Sequence, residues 1–394
     1  MYKCTIIGLA DEAKSLSLHP EVVELIHAGR VFSGGIRHHK LVAGLLPQDA
    51  VWIDITVPIA DVIERYSRYD DIIIFASGDP LFYGFGATVR RLLPDCKMRV
   101  IPSFHSLQML AHRLNMPYAD MRAVSLTGRS WKTLDDALIS GERLIGCLTD
   151  RSKTPQAIYE RMMEYGYDNY RIYVGEHLGN GELERVTVFQ PGMEVGMPNC
   201  VIAEQTQPRH RRFGLLEAAF SHLNGRSKMI TKMPIRITSL AALELDRRRV
   251  FWDVGFCTGS VSIEARLLYP HLRITAFERR EGGRELMLQN SHRFGAPGID
   301  TIIADFLDVE LTTLERPDAV FIGGHGGHLQ EMITRLHDIL NPDGCIVFNS
   351  VSPDSRAVFE DSVKAVNMRC TSCSTITLDD NNPITILRAE YDTL

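Results

Sequence analysis

Features typical of membrane and secreted proteins are missing from this sequence. No apolar run approaches the ~20 residues that a membrane-spanning helix needs. The opening stretch, MYKCTIIGLADEAK, has acidic residues soon after a short apolar run and does not resemble a signal peptide. The eight cysteines are scattered over 394 residues and lack the grouping of a disulfide framework. We therefore expect a cytoplasmic protein without a membrane partner.

An excess of positive charge is missing too, since the net charge is −6. This balance argues against a nucleic-acid partner, although a local basic pocket could still bind an anionic small molecule. A metal-ligand set is also lacking. The stretch Cys370-x-x-Cys373 has no second pair, and His38–His39 has no third ligand at a recognisable spacing. We expect no metal.

The sequence does contain two series of alternating strand and helix patterns. This alternation predicts the α/β class, with parallel sheets and crossover helices. We place a first domain at 1–205, with lobes at about 1–115 and 116–205, then a linker at 206–229 and a second domain at 230–394. In the second domain the pattern predicts five parallel strands and a terminal hairpin, the order of a Rossmann-like methyltransferase.

The stretch VFWDVGFCTGSVSIEA at 250–265 predicts a strand, a glycine turn and the start of a helix. Gly255 and Gly259 bracket the turn, so its backbone can approach a ligand while the helix N-terminus points at it. A pyrophosphate fingerprint needs more glycines, and Cys257 stands in the middle of this turn. The spacing favours a cofactor without phosphates, S-adenosylmethionine. The simpler alternative is a turn in which the glycines serve only the backbone.

Three acidic residues strengthen the cofactor interpretation. Asp253 ends the strand before the turn, and Glu278 ends the next strand pattern, where a carboxylate can accept hydrogen bonds from ribose hydroxyls. Asp305 follows the third strand pattern and could face the adenine amine.

Three stretches of the second domain together resemble the decarboxylating methyltransferase unit of cobalamin biosynthesis. They are ITKMPIR (230–236), WDVGFCTGSVSIEA and DAVFIGGHGGHLQEMI (318–333). The resemblance implies that four residues line the cofactor: Thr231, Gly255, Gly259 and Glu278. This sequence departs from the family pattern in Phe256–Cys257, Pro234, His325 and His328.

The first domain resembles the tetrapyrrole methylases, a methyltransferase class unrelated to the Rossmann-like one. The segment IIIFASGDPLFYGFGATVRRLLP (72–94) is similar to their GDP-containing loop, and VFSGGIRH, VIPSFHSLQMLAHRLNMP and VSLTGR are similar to further motifs. This resemblance implies a two-lobed methylase fold with a second cofactor site, to which we assign Gly78, Asp79, Pro80, Ser103 and Ser106. The first loop, IIGLADEAKSLSLHPE, departs from the family because Gly8 alone remains of its usual glycine-proline-glycine stretch.

The combined resemblance covers nearly the whole chain and implies one reaction sequence. The enzyme would methylate C5 and C15 of a precorrin-6B-like tetrapyrrole and decarboxylate its ring C acetate, with one S-adenosylmethionine site per domain. The macrocycle carbon is already nucleophilic, so positioning and water exclusion can supply most of the rate. No catalytic side chain is assigned. Both methylase classes commonly self-associate, so we expect a homo-oligomer.

A substrate rich in carboxylates calls for basic residues despite the acidic chain. We assign substrate contacts to these residues: Arg37, Lys232, Arg236, His325 and His328. The basic run Arg209–His210–Arg211–Arg212 is interpreted instead as a solvated hinge.

Two alternatives remain at this point. A Rossmann-like RNA or protein methyltransferase would want a basic face or an Asn/Asp-Pro-Pro-aromatic segment, where this chain has FIGGHGGH. A non-catalytic tetrapyrrole-binding protein is the other, suggested by the altered first loop and by Cys257.

Overall fold

The chain divides into two compact units in the structure, which is a computed structural model. The residues it describes are 2–10, 18–223, 229–378 and 382–392. Unit 1 lies within Met1–Ser130, Glu142–Tyr159 and Tyr170–Gln207. Unit 2 lies within Trp131–Gly141, Glu160–Asn169 and Pro208–Leu394. No described helix is both long and apolar enough to pass through a membrane.

The first sheet of unit 1 is entirely parallel. Its strands are β1 (Lys3–Leu9), β2 (Val31–Gly34), β3 (Val51–Asp54), β4 (Asp71–Ser77) and β5 (Lys97–Ile101). Its helices are α1 (Pro20–Ala28), α2 (Ile36–Val42), α3 (Ile59–Tyr66) and α4 (Phe85–Leu92). The strand order is β3-β2-β4-β1-β5. The run DIIIFAS forms β4, whose central residues are buried because apolar clusters cover both faces of the sheet.

The second sheet of unit 1 is mixed, as the change of pattern after residue 120 indicates. Its strands are β6 (Arg122–Ser125), β7 (Leu144–Leu148), β8 (Tyr170–Glu176), β9 (Arg185–Val188) and β10 (Asn199–Gln205), in the order β6-β7-β10-β8-β9. The helices of this stretch are α5 (Ser106–Arg113), α6 (Lys132–Ser140) and α7 (Pro155–Glu164). Only β6 and β7 pair in parallel.

The sheet of unit 2 has seven strands within the described residues. They are β11 (Val250–Val254), β12 (Arg273–Glu278), β13 (Ile299–Ile303), β14 (Ala319–Ile322), β15 (Cys345–Ser350), β16 (Met368–Ile376) and β17 (Ile384–Tyr391). The helices are α8 (Met233–Leu243), α9 (Ser260–Leu268), α10 (Gly283–Phe294), α11 (Leu329–Ile339) and α12 (Pro353–Ala365). The order is β13-β12-β11-β14-β15-β17-β16, and β17 runs antiparallel to its two neighbours, β15 and β16, while the other pairs are parallel. The predicted α/β class, with five parallel strands and a terminal hairpin, is confirmed.

Unit 2 also includes α6 and the end of α7, which precede the linker in sequence. The hydroxyl of Tyr167 donates to the Gly295 carbonyl at 2.7 Å, and Arg266 pairs with Asp136 at 2.9 Å. Such packing depends on long-range contacts that no sequence motif indicates. The division at 205 and 229 into functional domains stays a prediction.

The basic run of the linker is not a solvated hinge at two of its arginines. The Arg209 guanidinium lies 4.6 Å from the Tyr167 ring centre and donates to the Tyr165 carbonyl at 3.1 Å. Arg211 donates to the Tyr167 hydroxyl at 2.5 Å and to the Ile139 carbonyl. The prediction is wrong for these two residues. Their guanidinium groups bind the Tyr167 side chain and backbone carbonyls of the folded chain and are not simply solvated. The linker residues 224–228 lie outside the described part.

Candidate active sites

A cavity of about 600 Å³ lies in unit 2 at the carboxyl ends of the parallel strands. The chain order of the sheet reverses between β11 and β14, and ligands of open α/β sheets bind in the crevice at such a reversal. The lining includes these sequence-predicted residues: Thr231, Lys232, Asp253, Gly255, Glu278, Asp305 and His325.

The turn after β11 has a left-handed backbone at Gly255 and Gly259, with φ of +78° and +74°. A Cβ on Gly255 would lie 2.8 Å from the Gly324 nitrogen, so this turn lies directly against the segment after β14. Gly259 precedes α9, and a Cβ there would lie 2.4 Å from the Met287 sulfur. Gly255 lines the cavity, whereas Gly259 serves the backbone and helix packing without lining it.

Cys257 also has a left-handed backbone, with φ of +51°. Its N–H donates to Glu278 Oε2 at 3.0 Å, and its thiol donates to the Met229 carbonyl at 3.1 Å. The cysteine thus adopts the conformation that glycine usually supplies, and it ties the turn to the end of β12. The neighbouring Phe256 is buried in an apolar cluster that includes Leu215.

Asp253 is fully buried beneath the turn. Its Oδ2 accepts hydrogen bonds from the Ser262 N–H at 3.1 Å and from the Ser262 hydroxyl at 2.5 Å. Its Oδ1 has no hydrogen-bond partner among the described residues. Burial raises the pKa of Asp253 to about 7, the bonds from Ser262 oppose this, and the negative charge of Glu278 adds to it.

Glu278 and Asp305 are held by nearby backbone. Glu278 Oε1 accepts from the Arg280 N–H at 3.1 Å, and the Arg280 guanidinium lies 3.3 Å from this carboxylate. Asp305 Oδ1 accepts from the Leu307 N–H at 3.1 Å and so begins a short 3-10 turn. Both carboxylates therefore have fixed positions on the cavity wall.

Lys232 and His325 are the predicted substrate contacts that line this cavity. The Lys232 ammonium has no hydrogen-bond or ion-pair partner within the described ranges. His325 Nδ1 accepts from the Gly327 N–H at 3.2 Å, which assigns the ring proton to Nε2. Burial lowers the pKa of His325, and the nearby His328 lowers it further, so the neutral ring is favoured.

The structure does not bring Arg236 and His328 into the cavity lining. Arg236 is fully buried, pairs with Glu264 at 3.0 Å and donates to the Thr231 carbonyl at 2.6 Å. These bonds give Arg236 a structural position behind the cavity wall. His328 is exposed at the start of α11, with its ring 3.5 Å from the Glu331 carboxylate.

A second cavity, of about 590 Å³, lies in unit 1. The predicted residues in its lining are Arg37, Gly78 and Ser106. A Cβ on Gly8 would lie 1.9 Å from the Gly78 carbonyl oxygen, which also accepts a hydrogen bond from the Ser103 N–H at 3.2 Å. The ends of β1, β4 and β5 therefore meet at one point beside this cavity.

Asp79, Pro80 and Ser103 do not line this cavity. Asp79 Oδ1 accepts from the Leu81 N–H at 2.8 Å, and the Pro80 carbonyl would lie 2.7 Å from a Cβ on Gly84. Asp79 and Pro80 shape the loop after β4, and Ser103 contacts the start of that loop through the Gly78 carbonyl. The altered first loop includes residues 11–17, which lie outside the described residues.

Two side chains converge on the Ser77 hydroxyl in unit 1. Arg37 donates to Ser77 Oγ at 2.8 Å, and His38 Nε2 lies 3.0 Å from the same oxygen. His38 Nδ1 accepts from the Gly35 N–H at 3.3 Å, so Nε2 carries the proton and donates. The Ser77 oxygen thus accepts both bonds, and its own hydrogen can point elsewhere.

His105 in the same lining is neutral near pH 7, because burial lowers its pKa to about 4. Its ring stacks on Phe82 with centroids 3.7 Å apart, and its Nδ1 accepts from the Gln108 N–H at 3.3 Å. The His105 ring therefore presents a flat, uncharged surface to the cavity.

Comparison with known proteins decides the family. Residues 220–388 match the family described as Precorrin methyltransferase domain, and residues 28–190 match Tetrapyrrole (Corrin/Porphyrin) Methylases. Over 364 residues the chain is 30% identical to a precorrin-6Y C(5,15)-methyltransferase (decarboxylating) of Sinorhizobium sp, covering 91% of this chain and 86% of that protein. The chain belongs to the precorrin-6Y C(5,15)-methyltransferase (decarboxylating) family.

Two relatives from Salmonella typhimurium are shorter. A cobalt-precorrin-6B C(15)-methyltransferase (decarboxylating) is 39% identical over 129 residues, 33% of this chain and 66% of that protein. A cobalt-precorrin-7 C(5)-methyltransferase is 26% identical over 183 residues, 46% of this chain and 88% of that protein. As a member of the precorrin-6Y C(5,15)-methyltransferase family, the chain is a C-methyltransferase, and the predicted resemblance is confirmed.

The sequence analysis of this precorrin-6Y C(5,15)-methyltransferase family member missed several lining residues. Arg279 and Arg280 follow Glu278 directly, and Asn349 lies in the last part of β15. In unit 1 it missed Ser77 and His105. A usable signal existed for the arginines, since residues just after a strand that ends in a cofactor carboxylate also face the crevice.

Proposed function

We propose that the chain methylates C5 and C15 of a precorrin-6B-like tetrapyrrole and decarboxylates the ring C acetate, using one S-adenosylmethionine site in each half. The observation that carries this proposal is the presence of two separate cavities, one in each compact unit, each beside a glycine turn. Each half also matches its own methylase family. The cavities are similar in volume, at about 600 and 590 Å³.

The residues around the cavity of unit 2 fit an adenosyl sulfonium. The cofactor supplies an activated methyl group on a positively charged sulfur. Asp253 Oδ1 is buried and has no partner among the described residues, so it can accept a hydrogen bond from the cofactor's ammonium group. Thr231, Gly255, Glu278 and Asp305 all line this cavity. We propose that Glu278 accepts hydrogen bonds from the ribose hydroxyls and that Asp305 accepts one from the adenine amine.

We propose that the cavity of unit 1 binds the same cofactor through a different set of lining residues. Gly78 and Ser106 line the cavity and are proposed as direct contacts. Asp79, Pro80 and Ser103 are proposed to act by holding the loop after β4 in shape. Gly8 lets the ends of β1 and β4 approach each other, which supports a formed site despite the altered first loop.

The proposed substrate carries several carboxylates, which basic residues can bind. Arg37 in unit 1 and Lys232 in unit 2 are the proposed contacts, since both line a cavity. His325 can donate from Nε2 to a carboxylate while it stays neutral. We leave Arg236 and His328 out of the proposed contacts because neither lines the cavity.

The proposed reaction requires the chain to orient the tetrapyrrole and to exclude water from the reacting carbons. The meso carbon attacks the methyl group in line with the leaving sulfur and then gives up its hydrogen as a proton. Loss of carbon dioxide leaves an electron pair that the conjugated macrocycle can accept, and the side-chain carbon then takes up a proton. Apolar walls such as Phe306, Phe321 and Ile384 in unit 2 keep water from these carbons.

Calorimetric titration with S-adenosylhomocysteine tests the number of sites. We expect about two equivalents per chain in the natural protein and one equivalent in Gly8→Ala, because a Cβ there collides with the Gly78 carbonyl. Gly44→Ala is the matched control, since a Cβ on Gly44 meets no atom within 4 Å. One equivalent in the natural protein would contradict a cofactor site in each half, and if Gly8→Ala keeps that equivalent, the missing site is the one in unit 1.

Self-association and a cytoplasmic location belong to the same proposal. Light scattering of the purified chain should give a mass above that of a monomer of 44.3 kDa. A monomer at micromolar concentration would contradict the proposed homo-oligomer.

A further inference from the structure

Arg279 is a cation on the wall of the unit 2 cavity that the protein itself does not neutralise. The side chain is exposed and lines the cavity. No hydrogen bond or ion pair joins its guanidinium to another residue in the part of the chain that the structure describes. An exposed arginine left unpaired at a cavity wall is available to an anion.

None of the three carboxylates that line the same cavity pairs with Arg279 within the described residues. Asp253 accepts both of its bonds from Ser262, Glu278 pairs with Arg280, and Asp305 accepts from the Leu307 N–H. The charge of Arg279 therefore remains uncompensated. Lys232 is another cation of the same cavity that has no ion-pair partner within the described ranges.

The glycine segment after β14 makes room for this arginine. Gly326 has a left-handed backbone with φ of +59°, and a Cβ there would lie 3.0 Å from Arg279 Nη1. The guanidinium thus lies along the backbone of this segment, where a side chain at position 326 would push it away. This observation is independent of the charge argument and gives the arginine a defined place.

We infer that Arg279 binds a carboxylate of the tetrapyrrole that is not the one lost as carbon dioxide. A guanidinium binds a carboxylate through paired, charge-assisted hydrogen bonds. An ion pair to the departing carboxylate would stabilise the ground state more than the transition state and would slow its loss. Arg279 is therefore a substrate-positioning and specificity residue. This inference rests on the proposed function of the same cavity.

Initial rates of carbon dioxide loss from precorrin-6B, measured with the full chain, test the inference. Arg279→Gln should raise KM for the tetrapyrrole by about tenfold or more, because a charge-assisted bond is lost, with a smaller change in kcat. Arg279→Lys should recover part of the loss, and higher salt should reduce the difference between the natural protein and Arg279→Gln. Binding of S-adenosylhomocysteine should not change.

Arg284→Gln is the matched control, since Arg284 is an exposed arginine on α10 outside the cavity lining. An unchanged KM in Arg279→Gln would overturn the inference. So would a loss of S-adenosylhomocysteine affinity of the same size, because the carboxylate would then be that of the cofactor. If the natural protein does not convert precorrin-6B at all, the proposed function fails rather than the role of Arg279.

Discussion

Gly255 and Gly324 lie in backbone contact, so that a methyl group on Gly255 would come within 2.8 Å of the Gly324 nitrogen and 2.9 Å of its oxygen. This contact joins the turn after β11 to the segment after β14 across the point where the strand order reverses. The crevice between the two strands therefore owes its shape to the absence of a side chain at one position.

Gly255→Ala should lower the free energy of unfolding by about 1–3 kcal/mol, through the left-handed backbone and the collision together. Urea denaturation measures this change. Gly324→Ala should have little effect on stability, because a Cβ on Gly324 meets no atom within 4 Å. Equal losses in the two variants would contradict the contact described above.

Cys257 should tolerate replacement by glycine and reject a β-branched residue. Its left-handed backbone is unfavourable for a side chain by roughly 1–2 kcal/mol, which offsets the lost thiol bond to Met229 in Cys257→Gly. Cys257→Val should unfold at a lower temperature than either, since its branched Cβ suits this conformation least. The melting temperatures of the natural protein, Cys257→Gly and Cys257→Val test this expectation. Equal melting temperatures for the glycine and valine variants would refute it.

Asp253 should make stability depend on pH. Because burial raises its pKa to about 7, the folded protein holds this proton more tightly than the unfolded chain does. The contribution is therefore fully present at low pH and is lost as the pH rises through about 7, by up to about 4 kcal/mol. The free energy of unfolding of Asp253→Asn, measured at pH 4 to 8, should lack this decline. Parallel profiles for the two proteins would show that Asp253 is already ionised.

Substitutions of Arg236 and Lys232 should have different effects: the first should change the free energy of unfolding, and the second should change substrate binding. Arg236→Gln leaves Glu264 buried without its cation and should lower the free energy of unfolding by about 3–5 kcal/mol. Lys232→Gln should leave stability unchanged and weaken binding of the anionic substrate. Denaturation and KM measurements check both variants. A stable Arg236→Gln with a raised KM would restore Arg236 as a substrate contact.

The sequence was sufficient for the fold class and for the glycine turn at Gly255. The turn at Gly255 and the alternation of strands and helices are local patterns, and each follows from spacing along the chain. Arg236 shows where this reasoning stops. It lies in the ITKMPIR motif, but its burial against Glu264 depends on helix packing that spacing does not reveal.

Arg279 and Cys257 illustrate two further reasons why the sequence alone does not predict the site. Arg279 stands next to a predicted cofactor residue, and its availability follows from which carboxylates find partners in the folded chain. Cys257 breaks the glycine pattern, yet its backbone is left-handed, as glycine readily is, and its N–H and thiol bond to Glu278 and Met229. A departure from a motif therefore does not measure a departure in geometry.

Mass spectrometry of the product formed from precorrin-6B and S-adenosylmethionine is the most direct test of the proposed reaction. We expect a product that has gained two methyl groups and lost carbon dioxide. A tetrapyrrole recovered with unchanged mass would contradict it.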